Sequence, residues 1–141
     1  MTKVQAADLL RRNGIKKTRQ REAVVRILAE AQAPLSVDSI HVRLRHEDDS
    51  VNLSTIYRML EVLLEKGLVE QMHHPLGSKF TYVLSAYGHS HHLTCTRCGV
   101  STRMDSCPVT TALGQLEASH NFHITGHRLE VFGVCAACKS K

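Results

Sequence analysis

The sequence predicts an α+β protein built from two small domains. Three observations predict it. Helical periodicity dominates residues 3 to 66, short strand-like runs dominate thereafter, and the second half is bracketed by Cys-x-x-Cys pairs at 95–98 and 135–138. At 141 residues, 43% hydrophobic and 22% charged, each half can bury only a modest core.

The elements follow in order. Residues 3 to 13 read as a short amphipathic helix closed by Asn13-Gly14, a helix stop signal. Thr18 caps a second helix, 19 to 31, whose apolar stripe is Val24, Val25, Ile27 and Leu28, with Pro34 beyond its end. Ser36 caps a third helix carrying Val37, Ile40, Val42 and Leu44. Asn52 or Ser54 caps a fourth, ended by Gly67, with Ile56, Met59, Leu60, Leu63 and Leu64 at helical spacing. The period then changes. LVEQMHH and KFTYVL flank Pro75-Leu76-Gly77 and read as a hairpin, which with the preceding helices spells a winged helix-turn-helix. This sets the first domain at 1–84 and a linker at 85–88. The second domain, 89–141, reads as strands at 89–95 and 99–104, a helix at 108–119, and strands at 122–125 and 128–134.

Charge clusters at the start. Through Arg26 the basic residues are Lys3, Arg11, Arg12, Lys16, Lys17, Arg19, Arg21 and Arg26, against only Asp8 and Glu22. Such clustering points to an anionic partner, double-stranded DNA in a winged-helix context. In a helix-turn-helix the second helix enters the major groove by its N-terminal residues. Here those are Ser54, Thr55, Tyr57 and Arg58, apt for phosphates, base edges and thymine methyls. Lys16, Lys17, Arg19 and Arg21 are the expected phosphate contacts, which set affinity and salt dependence.

Cys95, Cys98, Cys135 and Cys138 have the spacing of a closed tetrahedral thiolate site, the usual form of structural zinc. Two pairs do not suit a thioredoxin-like redox motif, which needs one. Cys107, beside Pro108 at a helix start, reads as inert. Six of the ten histidines fall between 89 and 127. Strand alternation sends His89 and His91 to one side and His92 to the other, so one strand can feed two metal sites. His123 and His127, beyond the helix, can return to meet it. Imidazole suits zinc, iron(II), nickel or copper alike.

The winged helix with Ser54-Thr55-Ile56-Tyr57-Arg58, the hairpin, the His-x-His-His run into Cys-x-x-Cys-Gly, the helix and the final Cys-x-x-Cys together resemble the ferric uptake regulator (Fur) superfamily over nearly the whole chain. The resemblance implies a homodimeric, metal-responsive bacterial repressor of metal-uptake and homeostasis genes, binding palindromic operators. It makes residues 89–141 a dimerisation and metal-binding domain, places Tyr57 and Arg58 on DNA-contacting positions, and puts the four paired cysteines on structural zinc. It also implies a second, regulatory divalent metal, zinc or iron(II). For the interdomain sensor site of the iron and peroxide branches, the corresponding places hold Pro34, Val83, Ser90 and His92. The zinc-branch position after Gly-x-Val holds Glu70, so Glu70 and His92 are the candidate sensor pair, with His73 or His74 in support. Metal there would fix the angle between domains. The family's dimerisation-domain site matches His89, His91 and His127; its helix carboxylate falls on Thr110, with Glu117 two turns further on. Sensing falls either to the altered interdomain pair or to the His89/His91/His127 site, and zinc is slightly favoured over iron because the iron-type ligand set is so incomplete; the alternatives are an iron- or peroxide-responsive regulator, or a DNA-binding protein with structural metal alone.

Catalysis is not expected. There is no His-x-Glu with Pro-Cys-x-x-Cys, no His-Glu-x-x-His, no phosphate-binding glycine loop and no Gly-x-Ser-x-Gly. No small-molecule substrate is implied. The lack of a long apolar run or a signal-like start predicts a cytoplasmic protein without a membrane partner, where reduced thiols favour metal over disulfides.

Overall fold

Thr2 opens the first helix, α1 (Lys3–Arg12), through a capping box with Gln5: its hydroxyl accepts from the Gln5 N–H and the Gln5 side chain accepts from the Thr2 N–H. The same device recurs in simpler form. In the computed structural model, which describes residues 1–77, 79–85 and 91–141, Thr18, Ser36 and Asn52 each accept an N–H in the first turn of α2 (Arg19–Glu30), α3 (Val37–Arg45) and α4 (Leu53–Glu65). Gly67, at φ +71°, supplies the left-handed turn that ends α4, where a β-carbon would be strained.

The chain divides into two units, Met1–Gly88 and His89–Lys141. In the first, α1 to α4 pack Ala6, Leu10, Val24, Val25, Ile40, Leu44, Ile56, Leu60 and Leu63 into one apolar core. Each large side chain buried there contributes about 1.5–3 kcal/mol. Val42, expected in the α3 stripe, is instead 61% exposed. The inward residues Val37, Ile40 and Leu44 step by three and four, and position 42 falls on the opposite side of that helix.

The wing pairs β2 (Val69–His73) with β3 (Phe80–Leu84) in register Val69↔Leu84 to His73↔Phe80. β1 (Leu35–Ser36), too short to show periodicity in sequence, joins the other edge of β3 through Leu35↔Tyr82. Ser85, placed in the expected linker, is tied to this unit by its N–H to the Leu68 carbonyl at 3.0 Å and its hydroxyl to the Gly67 carbonyl at 2.6 Å.

The second unit is a three-stranded sheet in the order β5 (Ser101–Arg103), β4 (His92–Cys95), β6 (Glu130–Gly133), with α5 (Thr110–His120) and a last turn, α6 (Ala136–Lys139). β4 runs antiparallel to β5 and parallel to β6. The expected strand at 122–125 does not form. Asn121 caps α5 in the left-handed conformation, the Phe122 N–H donates to the Glu117 carbonyl and the Ile124 N–H to the Glu117 carboxylate. The helix end thus takes the hydrogen bonds a strand would need. Among the described residues, no helix is long and apolar enough to cross a membrane.

Candidate metal centres and nucleic-acid interface

Both Cys-x-x-Cys turns are built by the backbone. Cys95 ends β4, and Gly99 at φ +79° lets its N–H return to the Cys95 carbonyl at 3.0 Å. Cys135 follows β6, and the Lys139 N–H closes onto its carbonyl at 2.9 Å. The parallel register, Cys95↔Gly133, carries the two turns to the same end of the sheet. There the four sulfurs of Cys95, Cys98, Cys135 and Cys138 lie within 4.8 Å of one another. A tetrahedral ion with Zn–S bonds of about 2.3 Å sets sulfur pairs roughly 3.8 Å apart, and Cys98 Sγ lies 3.7 Å from Cys135 Sγ. The donor set fits zinc.

Its electrostatics fit as well. The N–H groups of Cys135 and Cys98, joined by that of Arg97, hold the Cys95 thiol down at about 6, largely ionised at neutral pH. Cys138, against Cys135 and buried, is pushed up to about 12. Sulfurs this close cannot all carry charge unaided, and a dication removes that penalty.

The histidine run splits. His89 lies outside the described residues. His91 is buried just before β4, and its Nε2 stands 3.1 Å from His127 Nε2. Cys107, read from the sequence as inert, is placed with its Sγ 3.3 Å from that same nitrogen. These three donor atoms also lie within 4.8 Å of each other. The sequence carried no periodic signal for Cys107, which sits in the irregular segment between β5 and α5. The only pointer was its chemistry, a fifth thiol in a chain whose other four pair off. Neither expected carboxylate position joins the cluster. Thr110 donates its hydroxyl to the Cys107 carbonyl, and Glu117 is taken by the Ile124 N–H and by His123.

His92 is 3% exposed, and its Nδ1 has no hydrogen-bond partner among the described residues. Burial, with Arg103 and His91 nearby, pushes its pKa down and keeps the ring neutral, the form that binds metal. Glu70 is an exposed residue of β2 in the first unit. His73, at the far end of that strand, packs on Phe80 with ring centroids 5.0 Å apart, and His74 Nδ1 accepts the Leu76 N–H.

The DNA-reading candidates share the first unit. On α4, Ser54, Tyr57 and Arg58 are exposed, Tyr57 by 51%, while Ile56, Met59 and Leu60 face the core. Thr55 is drawn into the cap: its hydroxyl donates to Asn52 Oδ1 at 3.0 Å and receives Arg58 Nη2 at 3.5 Å. Lys16, Lys17 and Arg19 are exposed beside the start of α2. Lys17 pairs with Glu22 at 3.2 Å, and Arg21 donates to the Lys16 carbonyl at 2.8 Å. That bond braces the loop and leaves Lys16 outward.

A model of the family described as the ferric uptake regulator family matches residues 12–132. The zinc uptake regulation protein of Mycobacterium tuberculosis is 31% identical over 127 residues, covering 90% of this chain and 97% of that protein. The peroxide operon regulator of Bacillus subtilis is 31% identical over 140 residues, covering 97% and 93%. Among solved structures, a zinc uptake regulator complexed with zinc and DNA superposes with a TM-score of 0.67 at 26% identity, covering 98% of this chain and 93% of that one.

Proposed function

This chain belongs to the ferric uptake regulator family, and we propose from that premise that it is a cytoplasmic, zinc-responsive repressor, not an enzyme. It binds palindromic operator DNA as a homodimer. The observation that carries the reading is one chain that holds an exposed Ser54/Tyr57/Arg58 face on α4 and two thiolate or imidazole clusters in its other unit.

In the roles proposed, Cys95, Cys98, Cys135 and Cys138 hold structural zinc. Tyr57, Arg58 and Ser54 read the major groove, Thr55 stiffens the helix start, and Lys16, Lys17, Arg19 and Arg21 meet phosphates. His91 and His127, with His89, belong to the regulatory metal, and Glu70 and His92 are further sensor ligands. The orphaned Nδ1 of buried His92 supports its part, since a buried polar atom costs stability until something binds it. Dimerisation is supported by α5, which has no buried residue and exposes the apolar Leu116, and by Phe122 just beyond it, 69% exposed. Metal acts by binding the geometry that matches two half-sites better than the others, which raises operator affinity.

Zinc is placed ahead of iron(II) because described carboxylates stay out of the second cluster. The equal identity to a peroxide operon regulator keeps a peroxide response as the second reading. The test is operator binding by wild type, Glu70→Ala and His92→Ala across zinc and iron(II) titrations, with and without hydrogen peroxide. Zinc-dependent binding that weakens in the variants is expected. Binding unaffected by any metal would leave only structural zinc, and binding lost only after peroxide would select the second reading.

A further inference from the structure

We propose that Cys107 is a metal ligand, and that His91 Nε2, Cys107 Sγ and His127 Nε2 form a mixed nitrogen–sulfur site selective for zinc over iron(II) and manganese(II). The inference rests on the metal-responsive reading above and names the donor that sets the metal.

Three separate segments converge here. His91 leads into β4 and is held by its carbonyl, which accepts the Met104 N–H at 2.8 Å. Cys107 is held before α5 by its carbonyl, which accepts the Thr110 hydroxyl at 3.3 Å. His127 comes from the segment between α5 and β6. A tetrahedral ion with bonds of about 2.05 Å to nitrogen and 2.3 Å to sulfur sets its donors roughly 3.3–3.6 Å apart. The observed separations are 3.1 Å between the two Nε2 atoms and 3.3 Å from Cys107 Sγ to His127 Nε2.

A hydrogen-bonded cluster explains this less well. His127 Nε2 offers one proton or one lone pair, yet both His91 Nε2 and Cys107 Sγ crowd that single position. A cation accepts all three lone pairs at once. His91 is buried, and Cys107 and His127 are half-buried, so the ion would be largely shielded from water.

Donor chemistry then decides the metal. Thiolate is a soft ligand, suited to zinc and copper(I), whereas iron(II) and manganese(II) in such sites are favoured by carboxylate. Glu117 is tied to the Ile124 N–H at 2.7 Å and does not join the cluster, whose third donor is the Cys107 sulfur, 3.3 Å from His127 Nε2. Cys107 is thereby a specificity-determining residue.

The test uses the full-length protein with zinc retained in the four-cysteine site, titrated with cobalt(II) as a spectroscopic stand-in for the second ion. Wild type is expected to show a sulfur-to-cobalt charge-transfer band. Cys107→Ser should lose the band and weaken zinc at this site by about tenfold or more, while His127→Ala weakens binding without a sulfur-specific loss. In competition, Cys107→Asp should move the zinc-over-iron(II) preference toward iron by at least about tenfold. A band that survives in Cys107→Ser, or an unchanged preference in Cys107→Asp, overturns the proposal. If wild type shows the band yet binds operator equally with and without metal, the site stands and the regulatory reading falls.

Discussion

The two units are stabilised by different physics. The first buries a continuous apolar core of leucine, isoleucine, valine and alanine drawn from four helices and the wing. In the second, the described residues that are fully buried are His91, His92, Cys95 and Cys138, and α5 buries nothing. Hydrophobic burial scales with apolar area, and a segment of this size with so little of it does not close a core by itself. Polar, ligand-bearing residues take the places that apolar ones hold in the first unit. On the proposed reading, folding of the second unit therefore depends less on apolar burial and more on the structural ion that Cys95, Cys98, Cys135 and Cys138 would hold.

Zinc removal is the strongest way to break that contrast. Structural zinc of this type carries an apparent binding free energy of roughly 10–16 kcal/mol. Stripping it by chelation should unfold residues 89–141 and dissociate the dimer while α1 to α4 persist. Limited proteolysis with mass mapping reads this directly, and a second unit that stays protected without zinc would end the argument.

The converse perturbation is Leu63→Ala, at a fully buried position on α4. It should cost about 2–5 kcal/mol of first-unit stability, read by denaturant unfolding, while zinc stoichiometry stays unchanged. Loss of zinc in this variant would mean that the units do not fold by separate means.

Smaller effects separate the contacts made by the first unit. Arg58→Ala should lower operator affinity by about 1–3 kcal/mol and relax sequence preference. Lys16→Ala should weaken binding evenly across sequences and reduce the slope of log affinity against log salt by about 1. Titrations at several salt concentrations distinguish the two, and identical salt slopes for both variants would remove Lys16 from the phosphate set.

The first unit was largely legible from residue order. Thr18, Ser36 and Asn52 mark helix starts because each offers a side-chain oxygen to an N–H within one turn. The spacing of Ile56, Met59, Leu60 and Leu63 names the inward face of α4 because helical geometry repeats locally. Exceptions came where competition was local but unseen. Val42 turned outward because its neighbours had already claimed the buried stripe. The run at 122–125 lost its strand because the end of α5 captured its N–H groups.

The second unit divides between the two kinds of information. Sequence alone determined the Cys-x-x-Cys pairs, since a chelating turn is a property of four consecutive residues and a glycine. It also placed the histidines near them, and the resemblance carried by those motifs supplied the family. Only the tertiary structure decided that the two turns share one end of a sheet, through parallel pairing of β4 with β6. It alone decided that Cys107, rather than a helix carboxylate, meets His91 and His127. The reason is reach. Periodicity and capping report on neighbours within a turn or two, whereas a metal site is assembled by segments that become neighbours only after the chain between them has folded.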